Sequence, residues 1–212
     1  MSDTLRADQI FRPGIAFRGV RLKSVQAATQ RKEISLGHIA DIEIADLVGA
    51  YPTCGQCGTA NVVRDAWASW SLLTRDWSLK AVFDSFACDA CGEETTPVWK
   101  IDKAFRLKRI QRLNDALRQG QGEHASVVVT AGLQHRGEDF LAKTHQAVAA
   151  FDCFSGDKDP HGEHDFGALT IEGEKLFWKI DYFDRMLTAH SPDKANPQLT
   201  HRVLTIMLAS EY

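Results

Sequence analysis

Five cysteines stand in this 212-residue chain, and four of them come as two copies of one device, Cys54-Gly-Gln-Cys57-Gly58 and Cys88-Asp-Ala-Cys91-Gly92. Two residues between cysteines let both sulfurs reach one metal ion from a single tight turn. The glycine that follows is expected to let the backbone fold under the thiolates, where a side chain would clash. Two such turns supply the four sulfurs of a closed tetrahedral site, so one structural Zn2+ held by Cys54, Cys57, Cys88 and Cys91 is the expectation. Redox-active pairs or an iron–sulfur centre are the competing uses of this spacing. A thioredoxin-like pair needs a helix N-terminus in a βαβ setting, and the strand-rich surroundings offer none. Four protein ligands leave no open position for water or substrate, so such an ion holds a fold rather than catalysing. Cys153 lies between Phe151 and Phe154 and reads as a buried, inert thiol.

The second concentration of reactive side chains is Asp157-Lys-Asp159-Pro-His161-Gly-Glu163-His164-Asp165-Phe-Gly167. Asp157, Asp159 and Gly162 copy the first half of a calcium-binding EF-hand loop, but His161 occupies an oxygen-ligand place and Ala168 stands where the closing glutamate belongs. Three readings remain. His164 and Asp165 can form a hydrogen-bonded knot that satisfies loop backbone where the chain enters a buried hairpin, with Lys179, Asp181 and Asp184 joining it. They can instead, with Glu163 or His161, centre a metal-dependent enzyme. The loop can also meet a partner.

Charge is unevenly spread. The formal net charge is −3, yet residues 1–32 carry seven bases against two acids and residues 102–118 six against two, while the stretches between and after are each −6. Two basic stretches on an acidic chain suit phosphates, although they can equally pair with the chain's own acids or stay solvated. On a helix through 102–118, Leu107, Ile110 and Leu113 mark the buried side. Lys108, Arg109 and Arg112 are then the exposed nucleic-acid candidates, with Arg18, Arg21 and Lys23 in the N-terminal arm as a second set. No run approaches the ~20 apolar residues that span a bilayer, and residues 1–14 lack a signal-peptide core. A cytoplasmic protein without membrane contact is expected.

The elements that position these groups follow from periodicity. A strand over Ile15 to Leu22 and a helix over Ser35 to Val48 are expected, ended by Tyr51-Pro52. Between the cysteine pairs, Asn61 to Leu72 and Trp77 to Phe86 read as strands joined at Thr74-Arg75-Asp76, with Trp77, Leu79, Ala81 and Phe83 on one face. Thr95 to Ile101 makes a third. A helix with Ile101, Phe105, Ile110, Leu113 and Leu117 on one face precedes Gly120, and Val127 to Val129 reads as a buried strand. Glu138 to Phe151 is helical. Gly167 to Ile171 and Leu176 to Phe183 form a hairpin, with Leu176, Trp178, Ile180 and Tyr182 sharing a face. Val203 to Leu208 is a further strand. The fold class is thus α+β: a basic arm (1–35), a small three-stranded zinc ribbon (36–101) and a mixed α/β-sheet domain (102–212).

Several longer stretches carry a resemblance: Arg109-Ile-Gln-Arg-Leu-Asn-Asp-Ala-Leu-Arg118, Val129-Thr-Ala-Gly132, Asp159 to Gly167, Lys179-Ile-Asp-Tyr-Phe-Asp184, and Arg202 to Ala209 before Glu211-Tyr212. Over residues 107–212 the chain resembles the domain of unknown function 3768. That family usually has an aromatic residue at position 161 and tyrosine at position 183, where this chain has His161 and Phe183. The resemblance implies a setting, the plasmids and integrated elements of proteobacteria, and no activity. The ribbon region, including Val62-Val63-Arg-Asp-Ala66 and Trp77-Ser-Leu79, is similar to ribbons of other such accessory proteins. The function expected from these observations is that of a zinc-binding accessory protein of bacterial mobile elements, binding DNA, RNA or a nucleoprotein without catalysis. The alternatives are an anti-defence protein (anti-restriction or anti-CRISPR type) that inhibits a host protein, and a metal-dependent enzyme centred on His164 and Asp165.

Overall fold

The computed structural model describes residues 42–156 and 159–212. Arg18, Arg21 and Lys23, the strand expected over 15–22 and the first half of the helix expected over 35–48 lie outside them. A single 3-10 turn, Ile44–Asp46, occupies the described end of that segment.

The cysteine region contains five strands in two sheets. Strand β1 (Ala50–Cys54) pairs antiparallel with β5 (Pro97–Ile101), while β2 (Val62–Ser71), β3 (Asp76–Cys88) and the two-residue β4 (Glu93–Glu94) form a three-stranded sheet. The strand expected over 95–101 therefore exists but pairs with β1 and not with the hairpin. Pro52, expected to break structure, sits inside β1. A proline fits an edge strand, whose missing N–H faces away from the partner, and β1 has a neighbour on one side only.

The β2–β3 register shifts twice, between Arg64 and Ala66 and between Trp67 and Ala68. At the second shift Trp67 faces Ala81 while Ala68 faces Leu79, so Lys80 is an extra residue on β3. One extra residue reverses the side-chain alternation beyond it. Trp77 and Leu79 consequently share a face with Trp70, whereas Ala81 and Phe83 fall on the opposite face with Trp67; the four do not form the single face expected from alternation. Edge-to-face contacts agree, Trp70 with Trp77 at 5.6 Å and Trp67 with Phe83 at 5.0 Å.

Helix α1 (Lys103–Arg118) starts at Asp102, whose carboxylate accepts the Phe105 N–H at 2.8 Å, an N-cap that satisfies one orphan donor. Strand β6 (Ala125–Val129), the short helix α2 (Ala131–Gln134), α3 (Glu138–Ala149), β7 (Phe166–Ile171), β8 (Glu174–Phe183) and β9 (His201–Leu208) complete the chain. The sheet order is β6-β9-β8-β7, with β6 parallel to β9 and the other pairs antiparallel. The expectation that residues 127–129 form a strand holds, but β6 is an edge and Val127 and Val128 are exposed.

Leu176, Trp178 and Ile180 of β8, with Leu204, Ile206 and Leu208 of β9, make the buried face of this sheet. Leu117 of α1, Leu133 of α2, and Phe140 and Val148 of α3 cover it. The alternation expected for β8 is thus the core itself. Glu172 and Gly173, both at positive φ, make the two-residue turn into β8. Opposite Trp178 stands Gly167, where a Cβ would lie 2.5 Å from the indole, so no larger residue fits. No helix among the described residues is long and apolar enough to cross a membrane.

Candidate metal centre and polar network

The two cysteine turns close on one point. The Sγ atoms of Cys54, Cys57, Cys88 and Cys91 all lie within 4.8 Å of one another, the only such group of possible ligands among the described residues. Cys57 and Cys88 are 3.7 Å apart. Four sulfurs around one ion at ~2.3 Å require separations of about 3.8 Å, so the residues present fit a tetrahedral metal ion. Each turn is closed by its glycine: Gly58 N–H donates to Cys54 O at 2.9 Å and Gly92 N–H to Cys88 O at 2.8 Å. Gly58 and Gly92 adopt φ of 74° and 75°, with nothing within 4 Å of an added Cβ. The reason for glycine is therefore the left-handed backbone and not the expected clash.

Hydroxyls surround the sulfurs. Thr95 Oγ1 lies 3.4 Å from Cys54 Sγ, and Thr59 Oγ1 lies 3.4 Å from Cys57 Sγ and 3.5 Å from Cys88 Sγ. The Gln56 N–H donates to Cys54 Sγ at 3.4 Å. The Thr95 hydroxyl above all holds the Cys54 thiol down at about 6, and Thr59 lowers Cys57. Cys91, hydrogen-bonded to Cys57 and partly desolvated, is pushed up to about 12. Four thiolates this close repel one another, so without a cation the cluster keeps a proton on Cys91, and a bound metal would replace it. Thr59 and Thr95 were not identified from the sequence. A threonine two residues beyond a CxxC pair is the signal for the first; nothing local marks the second.

In the C-terminal half the expected polar knot exists, but its centre is Asp159 and not Asp165. The buried Asp159 carboxylate accepts the Glu163 N–H at 2.8 Å and the His164 N–H at 2.9 Å. His164, at φ 56°, stacks on Phe154 with ring centroids 3.7 Å apart, and its Nδ1 lies 3.0 Å from Asp115 on α1. Buried Asn114, one residue earlier, donates through Nδ2 to Glu163 O at 2.9 Å and to the Tyr182 hydroxyl at 2.7 Å, while its Oδ1 accepts from Arg202 at 3.1 Å. Tyr182 donates to Glu163 at 3.2 Å, and Glu163 pairs with Lys194. Burial raises the Tyr182 hydroxyl pKa and lowers that of Arg202, so both rely on this pairing.

His164 and Asp165 do not converge. Among the described residues the Asp165 carboxylate accepts no hydrogen bond from another residue, and burial, then the neighbouring Glu163 and Asp159 carboxylates, raises its pKa. His161 is exposed. Lys179 and Asp181 pair with each other on the opposite face of β8, and Asp184 caps its own turn through Thr188, so none of the three joins the knot as expected. Cys153 is exposed, not buried: Phe151 and Phe154 turn toward Trp178 and leave it outside.

Along α1, Lys108 and Arg112 are exposed, as the helical pattern predicts, and form no ion pair among the described residues. Arg109, expected beside them, is half-buried and donates through Nε to Ala195 O at 2.9 Å. Arg106 donates to Val48 O at 2.7 Å and to Asp193 at 2.8 Å, and the buried Asp193 also accepts the Val48 N–H at 3.0 Å. Asp193, unnoticed in the sequence, thereby ties the start of the cysteine region to α1 and to the loop before β9.

Residues 129–211 match the family model "Protein of unknown function (DUF3768)". The resemblance read from the sequence is therefore found in the C-terminal segment, over a shorter span than 107–212. No curated protein and no solved structure matches the chain. Within the DUF3768 segment, the Val129-Thr-Ala-Gly132 motif meets the C-terminus. Glu211 accepts from Thr130 Oγ1 at 2.6 Å, Gly132 N at 2.9 Å and Leu208 N at 3.1 Å, contacts that lower its pKa. Helix α1 lies outside the matched residues, yet its Asn114 and Asp115 hold their Glu163 and His164.

Proposed function

We propose that this chain is a zinc-binding accessory protein of bacterial mobile elements that binds nucleic acid or a nucleoprotein without catalysis. The observation that carries the nucleic-acid part is the exposed side of α1. Lys108 and Arg112 stand one helical turn apart there with no acidic partner among the described residues, while the neighbouring Arg106 and Arg109 are occupied by protein groups. On a chain of net charge −3, two uncompensated cations on one face favour a phosphate backbone. Four sulfurs at tetrahedral spacing favour zinc, and closed coordination favours a structural role.

The test is binding of single- and double-stranded oligonucleotides as a function of salt. Lys108→Glu with Arg112→Glu should abolish binding without changing metal content. Converting only one of them should flatten the dependence of log affinity on log salt by roughly 0.7–0.9. Arg109→Glu is a folding variant, because it removes the donor to Ala195 O, and is unsuitable as a probe of contact. Wild-type protein without affinity at ~50 mM salt would end this reading.

A further inference from the structure

The β2–β3 hairpin exposes large apolar side chains, and one of its faces is apolar along its whole length. On that face lie Ala66 and Val82, then Ala68 and Leu79, then Trp70 and Trp77, in opposed pairs, and all six are exposed. Trp77 and Leu79 are 65% and 67% accessible. The other face carries Ser69, Ser71 and Ser78 toward the tip, and its apolar residues, Trp67, Ala81 and Phe83, lie nearer the base, where the Trp67 and Phe83 rings pack on each other. A two-stranded hairpin is marginal in water unless its apolar face packs on something. With aromatic rings offering roughly 150–250 Å2 apiece, the open face amounts to on the order of 500 Å2, at the upper end for the largest patch of a monomer.

We propose that this face is covered by the same face of a second copy of the chain. Three features favour that occupant. The first is shape: the face is small at its base (Ala66, Ala68) and large at its tip (Trp70, Trp77), so two copies stacked antiparallel about a two-fold axis set each pair of tryptophans over the partner's alanines, at the ~10 Å spacing of packed sheets. The second is charge: Arg64, Arg75 and Lys80 balance Asp65, Asp76 and Asp84 along the hairpin, and Arg64 is paired with Asp84 at the base of the face, so two copies meet no net repulsion. The third is area: the face, extended by the exposed Leu72 and Leu73 at the tip, approaches the roughly 600–800 Å2 per partner of a weak to ordinary specific interface. The register shifts and Lys80 protect the strand edges, which favours stacking of faces over pairing of edges. The proposal is independent of nucleic-acid binding by α1.

Sedimentation equilibrium of the metal-loaded full chain, from about 1 to 100 µM, tests it, a range that brackets dimers with dissociation constants on the order of micromolar. Trp70→Ser with Trp77→Ser should weaken the dimer by at least about 30-fold, as loss of buried tryptophan anchors does. Trp67→Ser, on the other face, should leave it unchanged. Leu79→Arg is the second disruptive variant, and metal content verifies that each variant keeps its ribbon. A wild-type monomer throughout, or a dimer that survives both disruptive changes, would overturn the proposal. So would a monomer whose tryptophan emission shifts on adding a single-stranded oligonucleotide or lipid vesicles, which would assign the face to that occupant.

Discussion

The cysteine ribbon and the C-terminal domain are built on opposite principles. Among the described residues before α1, only Thr53, Cys54 and Cys88 are buried, and four of the chain's five tryptophans lie there, three of them exposed. After Asp102, the fifth tryptophan, Trp178, is wholly buried at the centre of a continuous apolar core. The ribbon has too little interior for hydrophobic burial to offset the entropy of ordering its chain, and an ion bound by the four sulfurs would supply what a core supplies elsewhere. The C-terminal domain has the core, and adds a buried polar network from Asn114 to Arg202 that fixes α1 against the sheet. Tryptophan, the most apolar payload available, is structural in one region and left for contact in the other.

If that contrast is right, the two regions should fail separately. Cys88→Ser should cost the ribbon its metal and its fold, because binding of a structural zinc contributes roughly 10–16 kcal/mol in isolated modules. The cooperative unfolding of the C-terminal core, followed through buried Trp178, should persist. Asp159→Ala is the smaller, converse change: a buried and a part-buried N–H group lose their acceptor, which should lower the stability of the C-terminal domain by about 1–3 kcal/mol in denaturant titration while metal content stays constant.

The smallest effect has the opposite sign. The folded-state pKa of Asp165 is raised by burial and by the adjacent carboxylates, so the fold prefers its protonated form. That preference is fully satisfied below the ordinary carboxyl range and is lost as pH rises through the raised value. Asp165→Asn should therefore raise the melting temperature at neutral pH, and the gain should vanish in acid. A destabilised Asp165→Asn would return this residue to the centre of the loop.

What could be read in advance divides along physical lines. The cysteine cluster was legible because CxxC-Gly places its sulfurs by local geometry, and β8 and β9 were legible because burial on one face writes a period of two into Leu176, Trp178 and Ile180. Strand β1 was hidden by Pro52, whose tolerance depends on having a neighbour on one side only. The bulge at Lys80 was hidden because apolar alternation runs through it unchanged. Asp159, Asn114 and Asp193 were missed as organisers because their partners lie far along the chain, Arg106 and Asp193 being 87 positions apart. Composition does not distinguish an acid that accepts two N–H groups from its neighbour Asp165, which accepts from no other described residue.

Elemental analysis of the purified chain tests most directly whether a metal ion takes the place of a core in the ribbon. One zinc per chain, retained through dialysis and released by strong chelation together with loss of ribbon strand signal, is the predicted result. Absence of bound metal in a chain whose ribbon remains folded, or iron with visible absorption, would contradict it.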